Sequence, residues 1–344
     1  MSDGRFSRLR AAVVRDALVS PGAGRYTAAM QIFRHADRLP EACRGGVVTL
    51  GNFDGVHRGH QAVIARTRAA AEARRAPLVV VTFEPHPGAV FRPEAEPFRL
   101  TPFRSKASHL AVLGVEVLVN LHFDLEFSKV SAADFVRRIL VDGLAATHLV
   151  VGHDFSFGHR RQGNAAFLVA EGETHGFGVE VAEPVREPGS EIYSSSLVRE
   201  CLRRGEPARA AELLGRAWEI DGRVVAGDGR GHALGFPTAN LELGEFLRPK
   251  FGVYAVRAGI DEGEATEWRD GAANLGTRPT VDGATLLLEV HLFDFSGDLY
   301  GKHLRVALID YLRPEEKFDG LDALKAQIAE DCRQARRILA AGED

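Results

Sequence analysis

Short apolar runs alternate with helical patterns over the first half of the chain. The apolar runs are residues 47–53, 77–83, 115–121, 148–152 and 178–182. The helical patterns between them are residues 61–75, 132–140 and 165–171. Alternation of strands and helices predicts a parallel, doubly wound sheet, so the first domain is expected to be of the α/β class.

The pattern changes beyond residue 216. A helix-like stretch at residues 195–214 contains Gly205 and Pro207 and indicates the exit from the first domain. The short, turn-punctuated apolar runs that follow are residues 218–225, 251–258, 268–275, 286–293 and 304–312. These runs predict a small antiparallel β-barrel, and the stretch from 321 to 341 predicts a terminal helix.

The length of 344 residues exceeds what one average core serves, so two domains are expected. We predict a first domain over residues 30–200, a connecting segment over 201–215 and a second domain over 216–344. Residues 1–29 are rich in arginine, end in a Pro/Gly-rich stretch and lack the apolar core of a secretory signal. They are expected to be a disordered appendage or to precede the true start, for which Met30 is a candidate.

Composition narrows the function classes. With 43 basic and 47 acidic residues the formal net charge is −4, so no overall positive field would gather nucleic acid or an anionic membrane. No apolar run approaches the roughly 18 residues of a membrane span. Cys43, Cys201 and Cys332 are far apart, which fits a reducing cytosol and gives no metal-binding spacing. We therefore expect a cytoplasmic protein that holds anionic ligands by local groups.

The first candidate site follows the first strand, where residues 51–60 read GNFDGVHRGH. Ligands of open α/β sheets bind at the carboxyl ends of the strands, and a helix starting there offers N–H groups and a positive dipole end to phosphate. Gly55 and Gly59 allow a triphosphate to approach closely, and His57 and His60 share one face of the first helical turn. The two rings can bind negative charge developing at an α-phosphate, although a glycine-rich surface loop is the alternative.

Two later segments extend this candidate site. Residues 82–87 read TFEPHP at the end of the second strand, which is also the pattern of a simple proline turn. Residues 194–199 read SSSLVR ahead of a helix, and hydroxyls with a guanidinium at a helix start suit phosphate oxygens. A serine-rich N-cap is the alternative interpretation of the second segment.

Together these segments resemble the nucleotidylyltransferase superfamily. In GNFDGVHRGHQ, in TFEPHP and in VGHDFSFG at residues 151–158, the chain is similar to the FMN adenylyltransferase domain of prokaryotic bifunctional riboflavin kinase/FAD synthetases. The resemblance covers residues 30 to 200 and implies a Rossmann-like nucleotidylyltransferase fold. Leu100, Thr101, Pro102 and Lys106 also match a family stretch, to which the resemblance gives no role here.

The resemblance implies roles for individual residues. The expected contacts to the ATP phosphates are His57, His60, Ser195, Ser196 and Arg199, and Ser194 is also expected to bind ligand. The expected flavin contacts are Pro85, His86, Asp154 and Phe155. The other residues of the first motif that are expected to bind ligand are Gly51, Phe53, Asp54 and Gly59.

The second candidate site is a glycine-rich segment, in which residues 227–240 read GDGRGHALGFPTAN. It lacks the terminal GK[ST] of a Walker A loop. Thr238 and Asn240 are two residues apart, so in an extended segment both present neutral oxygens to one side, where Mg²⁺ can bind with phosphate and water. A glycine- and proline-rich loop between two strands is the alternative.

Glu289 lies between Leu288 and Val290 in an apolar run. Its carboxylate can accept the proton of an alcohol that attacks the γ-phosphate of ATP, or it can be an outward-facing strand residue. GFPTAN and the segments 252–254, 274–280, 289–291 and 313–318 are together similar to riboflavin kinase, over residues 216 to 335.

This second resemblance implies that Thr238 and Asn240 bind magnesium and phosphate and that Glu289 is the base for the ribityl hydroxyl. The loop residues expected to cover the nucleotide are Gly229, Gly231, Gly235, Phe236 and Pro237. The chain departs from the family at His232, where a basic residue is usual, so Arg230 would supply that phosphate contact or it would be weaker. It also departs at the serine motif, which reads YSSS from Tyr193.

The expected function is two ATP-dependent steps, from riboflavin to FMN and from FMN to FAD, with Mg²⁺ accompanying ATP. The expected partners are these small molecules, and the protein is expected to be a monomer or a weak homo-oligomer. One alternative is that only the adenylyltransferase is active and the second domain binds flavin or regulates. The others are a flavin-binding regulator without turnover and an adenylyltransferase for another substrate, which the kinase-like second domain argues against.

Overall fold

The structure is a computed structural model that describes residues 30–186, 191–227, 231, 234–280 and 283–341. The predictions for residues 1–29, Gly229, Arg230 and His232 lie outside the described residues. Contacts divide the described chain into two compact units. Residues 30–95 and 101–194 form the first unit, and residues 96–100 with 195–341 form the second.

The first unit is built on a six-stranded sheet with helices. Its strands are β1 Gln31–Phe33, β2 Val47–Leu50, β3 Leu78–Glu84, β4 Val117–His122, β5 His148–Gly152 and β8 Gly178–Ala182, and a separate antiparallel pair is β6 Ser156–Phe157 with β7 Gly163–Asn164. Its helices are α1 Arg58–Arg74, α2 Pro87–Phe91, α3 Phe103–Val112, α4 Ala132–Phe135, which continues as a π-helix over Val136–Gly143, and α5 Ala165–His175. The sheet is entirely parallel, in the order β1-β4-β3-β2-β5-β8, which confirms the predicted Rossmann-like class.

The central strands are apolar on both faces because both faces of the sheet are covered. Successive residues of β3 illustrate this: Val79 joins the hydrophobic cluster on one face, and Val80 joins the cluster on the other. The alternation that the sequence predicted is therefore that of a buried parallel sheet. The sequence pattern did not predict the short edge strand β1, the strand pair β6 and β7, or the helices α2 and α3.

The strand order places the motifs of the first site side by side. β2 is followed on one side by β3 and on the other side by β5, so the chain changes direction across the sheet at β2. Such a switch point opens a crevice at the carboxyl ends of the strands, where ligands bind. The segments beginning at Gly51, at Pro85 and at His153 leave the sheet at the carboxyl ends of β2, β3 and β5.

The described residues of the second unit form an antiparallel barrel with helices packed beside it. Its strands are β9 Trp218–Arg223, β10 Ala239–Glu242, β11 Gly252–Ile260, β12 Arg269–Thr280, β13 Gly283–Leu292 and β14 His303–Arg313. Its helices are α6 Ser195–Arg204, α7 Pro207–Leu214 and α8 Leu321–Ala341. The sheet order is β10-β13-β12-β11-β14-β9, and an isolated bridge between Val225 and Asn240 joins its two edges. The predicted small barrel with a terminal helix is thus confirmed.

Successive side chains along the barrel strands point to opposite faces, so each face of the sheet has its own contacts. Leu241, Leu275 and Leu288 are fully buried on one face, which fills the barrel. On the other face small residues such as Ala255 and Ala272 allow α8 to pack closely through Ala335. The predicted helix-like stretch at 195–214 is two helices, because the chain turns at Gly205, which has a φ of 78°.

Within the described part of the chain, every helix is too short or too polar to cross a membrane.

Candidate active sites

The first site begins with a turn of unusual backbone conformation. The predicted strand at 47–53 ends at Leu50 because the following residues turn: Phe53 has a φ of 48°, Gly55 of 86° and Val56 of 44°. Positive φ is costly for bulky and β-branched residues and is held only where the surroundings impose it. Phe53 and Val56 are both buried, which fixes the turn against the core.

Hydrogen bonds from the segment before α3 stabilise this turn. The Gly55 N–H donates to Thr101 Oγ1 at 2.8 Å, and the Thr101 N–H donates to Asp54 Oδ1 at 3.0 Å. Asp54, which was expected to bind ligand, is only 2% exposed. The contacts on its Oδ1 therefore stabilise the loop, and any contact of Asp54 with ligand stays a prediction.

His57 and His60 meet at the start of α1. His57 is the N-cap residue, and its Nδ1 accepts from the His60 N–H at 3.4 Å. Because Nδ1 accepts, the proton of the neutral His57 ring is on Nε2, which is then a donor. The two rings are stacked with centroids 3.7 Å apart, as the three-residue spacing predicted. This pair sits at the positive end of a 17-residue helix.

The space around the start of α1 is narrow at Gly59. A Cβ at Gly59 would lie 3.1 Å from the His57 ring and 3.3 Å from the Tyr193 carbonyl oxygen. Glycine therefore allows the helix start, the histidine ring and the segment that leads to Ser194 to come together. In the sequence Tyr193 and His57 are far apart, and only the fold makes them neighbours.

The residues expected to seat the flavin follow β3 and β5. Pro85 is exposed, and His86 caps α2 through Nδ1, which accepts from the Gly88 N–H at 3.0 Å. The Asp154 side chain is 84% exposed, and the Phe155 ring stacks on Phe157 with centroids 5.5 Å apart. These side chains lie just beyond the carboxyl ends of β3 and β5.

The serine motif crosses between the two units. Ser194 belongs to the first unit, whereas Ser195 and Ser196 begin α6 in the second. Within the second unit Arg199 Nε donates to the Phe98 carbonyl oxygen at 2.9 Å, and its guanidinium lies over the Phe98 ring at 5.4 Å. The backbone and ring of Phe98 thus fix the orientation of Arg199.

The second site is a row of polar residues across the barrel sheet. Asn240 on β10 is directly opposite Glu289 on β13, and Glu289 is directly opposite Asn274 on β12. Residues paired in this way point to the same face of a sheet. Glu289 is therefore flanked by two amides on a face where Asn240 is only 4% exposed.

The glycine-rich segment packs against this row. A Cβ at Gly227 would overlap the Asn240 amide nitrogen, and a Cβ at Gly231 would lie 3.1 Å from Thr238 Oγ1. The Phe236 N–H donates to the Gly231 carbonyl oxygen at 2.8 Å, which folds the segment back on itself. Both glycines are thus required for the segment to approach the two oxygen-bearing side chains.

Gly235, Phe236 and Pro237 form the turn that precedes Thr238. Gly235 has a φ of 87°, and Pro237 is exposed. The Pro237 carbonyl oxygen lies 2.9 Å from His291 Nδ1, and the Phe236 ring meets the His291 ring edge-on. His291 therefore attaches this turn to the strand that carries Glu289.

Sequence reasoning assigned no role to several of these neighbours. Asn274 Nδ2 donates to Glu315 Oε1 at 3.2 Å, which links the polar row to the chain after β14. Asn274, His291 and Glu315 all lie in segments that matched the family, and this match was the only signal for them. For Thr101 and Lys106 of the first unit, the family match was likewise the only signal in the sequence.

Comparison with protein-family models matches both units. A model described as FAD synthetase matches residues 39–196, and a model described as riboflavin kinase matches residues 214–339. Among curated relatives, the bifunctional riboflavin kinase/FMN adenylyltransferase of Escherichia coli K12 is 42% identical over 312 residues, covering 90% of this chain and 98% of that protein. The chain belongs to this family.

Other members of the bifunctional family give the same result. The protein of that description from Pseudomonas fluorescens is 45% identical over 312 residues, again covering 90% of this chain and 98% of its own length. The protein from Haemophilus influenzae is 39% identical over 310 residues. This family member therefore aligns with both halves of its relatives, in the same order.

A solved structure also matches most of this chain. It is described as a macrolide-efflux protein from Streptococcus pneumoniae, is 30% identical, covers 90% of this chain and 99% of its own, and has a TM-score of 0.78. That description belongs to the pneumococcal protein. For this chain the match supports the fold, and the family models and curated relatives support the chemistry.

Proposed function

We propose that this chain makes FAD from riboflavin in two steps, with the residues described above carrying each one. It is a bifunctional enzyme: a riboflavin kinase that forms FMN, and an FMN adenylyltransferase that forms FAD and pyrophosphate, with ATP as the donor in both reactions. The observation that carries the proposal is that each family region brings a pair of polar side chains together: His57 and His60 stack at the start of α1 in one region, and Asn240 lies opposite Glu289 on neighbouring strands in the other. Residues 30–200 would carry adenylyl transfer and residues 216–344 the kinase reaction.

In the adenylyl step the protein needs no nucleophile of its own. The phosphate of FMN has a second pKa of about 6 and is mostly dianionic at neutral pH, so it can attack the α-phosphate of ATP directly. His57 and His60, at the helix start, would stabilise the charge that develops there, together with the hydroxyls of the serine motif and Arg199. Pro85, His86, Asp154 and Phe155 would border the flavin.

In the kinase step the nucleophile is a primary alcohol and needs a base. Glu289 would accept the proton of the ribityl hydroxyl as its oxygen attacks the γ-phosphate. Asn240 and Asn274 lie on either side of Glu289 in the strand register, so the carboxylate would act among polar groups. The loop from Gly227 to Pro237 would cover the nucleotide.

The donor chemistry of the kinase site fits magnesium. Mg²⁺ prefers oxygen ligands and shares them with substrate phosphates, and the Thr238 hydroxyl and the Asn240 amide offer such oxygens. These two neutral oxygens would be the protein's ligands to the ion. When bound with ATP, Mg²⁺ neutralises charge on the phosphates.

The remaining assignments follow from composition. The net charge of −4 supports a protein that acts on small molecules without binding nucleic acid. Widely spaced cysteines support a cytoplasmic location. We propose a monomer or a weak homo-oligomer.

The test is a chromatographic time course of riboflavin, FMN and FAD in the presence of ATP and Mg²⁺. The wild-type protein should form FMN and then FAD. Asn240→Ala should stop at riboflavin yet convert added FMN to FAD, whereas His57→Ala should accumulate FMN, each with a loss of about 100-fold or more in the affected step. If wild-type protein forms no FMN but converts added FMN, the barrel domain is not a kinase.

A further inference from the structure

Lys106 is a buried cation that the proposed chemistry leaves without a role. It lies on α3 and its side chain is 0% exposed. The ammonium Nζ donates to the Asn52 carbonyl oxygen at 3.0 Å and to Thr82 Oγ1 at 3.1 Å, and it pairs with Glu84 Oε1 at 2.7 Å. A buried charge is retained in a fold only where it is paired and hydrogen-bonded, as it is here.

The three acceptors come from the two segments that build the adenylyl-transfer site. The Asn52 carbonyl belongs to the peptide that enters the turn at Phe53, where φ becomes positive. Thr82 and Glu84 end β3, immediately before Pro85 and His86. Thr82 Oγ1 lies 3.3 Å from the Asn52 carbonyl oxygen as well, so the hydroxyl and the ammonium act on the same peptide.

The turn needs such support because its conformation is not intrinsically favoured. Phe53 and Val56 both have positive φ, which side chains of their type rarely adopt. A carbonyl oxygen held by a charged donor cannot rotate without losing a strong hydrogen bond. The orientation of the Asn52 peptide in turn sets where the chain reaches His57, five residues later.

We infer that Lys106 is a positioning residue for adenylyl transfer: its ammonium fixes the turn before His57 relative to the end of β3 that leads to His86. It touches neither substrate. It fixes the position of the turn on the phosphate side of the site relative to the segment on the flavin side. Glu84 is its charge partner in this role. The inference rests on the proposed adenylyltransferase function of the first unit.

The experiment compares four single variants and one double variant of the full-length protein. Lys106→Met removes the charge at similar length, Lys106→Arg retains it, and Glu84→Gln removes the partner charge. Arg104→Met is the matched control, because Arg104 is an exposed cation on the same helix. For each, kcat and KM are measured for conversion of added FMN to FAD, riboflavin kinase activity is measured in the same preparation, and thermal unfolding is recorded.

Lys106→Met should lower kcat for adenylyl transfer by roughly 100-fold with a smaller change in KM, because a displaced turn misplaces groups that act in the transition state. Kinase activity and Arg104→Met should stay within about 2-fold of wild type. Lys106→Arg should recover part of the loss. The double variant Lys106→Met with Glu84→Gln should lose no more than Lys106→Met alone, since both act on one interaction.

A lower unfolding temperature with unchanged kcat in Lys106→Met would show a purely structural role and overturn the inference. If Lys106→Met does not fold, Glu84→Gln and Lys106→Arg decide instead, and wild-type kcat in both would overturn it. Failure of the wild-type protein to convert FMN to FAD would instead refute the proposed function, and the inference with it.

Discussion

Asn240 and Glu289 lie directly opposite each other on β10 and β13, so the amide and the carboxylate share one face of the barrel. Asn274 occupies the equivalent position on the other side of Glu289. In the sequence these three residues belong to three separate segments. The register of two antiparallel strand pairs brings them into one row, with Glu289 between the two asparagines.

Glu289→Gln should abolish most riboflavin phosphorylation because the amide cannot accept the proton of the attacking hydroxyl. We expect kcat for FMN formation to fall by roughly 100-fold or more, with little change in the KM for riboflavin. The measurement is steady-state kinetics of FMN formation. Conversion of added FMN to FAD by the same preparation checks that the protein is folded.

Glu242→Gln is the control for that variant, since it removes an equally charged, exposed side chain from the same strand as Asn240. It should leave kcat near the wild-type value. Retention of most kinase activity in Glu289→Gln would refute the assignment of Glu289 as the base.

Gly227→Ala should impair the kinase because the new methyl group would overlap the amide of Asn240. Either Asn240 or the glycine-rich segment must shift, and a displacement of about 1 Å at a catalytic site can cost roughly 100-fold in rate. Gly222→Ala is the matched control, because its nearest neighbour atom would be 3.6 Å away, an ordinary contact. Equal kinase activity of the two variants would show that the segment tolerates the overlap.

The free energy of unfolding should decrease as the pH is lowered, partly because His148 becomes protonated. Burial, and then the nearby guanidinium of Arg74, whose Nη2 lies 3.2 Å from His148 Nδ1, lower the pKa of His148 below 6.5. As the pH falls, His148 is therefore protonated at a higher pH in the unfolded chain than in the folded protein. The resulting loss of unfolding free energy begins near pH 6.5 and ends at the lower pKa of the folded state.

Urea unfolding at a series of pH values between 7.5 and 5 tests this prediction. His148→Gln should lose less stability than wild type over that range, because the titrating group is gone. Arg74→Met should also flatten the dependence, since it removes one cause of the lowered pKa. An identical pH dependence in wild type and both variants would contradict the prediction.

Much of the architecture was predictable because it is encoded in local patterns. The alternating strands and helices, the change to turn-punctuated strands beyond residue 216 and the terminal helix from Leu321 to Ala341 are all present. α3 was missed because its pattern is interrupted: Lys106 occupies a fully buried position where an apolar residue is expected. β10 was missed because it has only four residues and follows a glycine-rich segment.

The sequence by itself determined which groups are candidates for the chemistry and in what order they occur, because motifs such as GNFDGVHRGH and GFPTAN are local and the spacing of His57 and His60 fixes a shared helix face. The tertiary structure alone decided which distant groups meet. Lys106 reaches Asn52 and Glu84 because α3 packs beside the ends of β2 and β3, and Glu289 lies between two amides because of strand register. Such contacts depend on long-range packing and hydrogen bonding, which no local pattern of residues encodes.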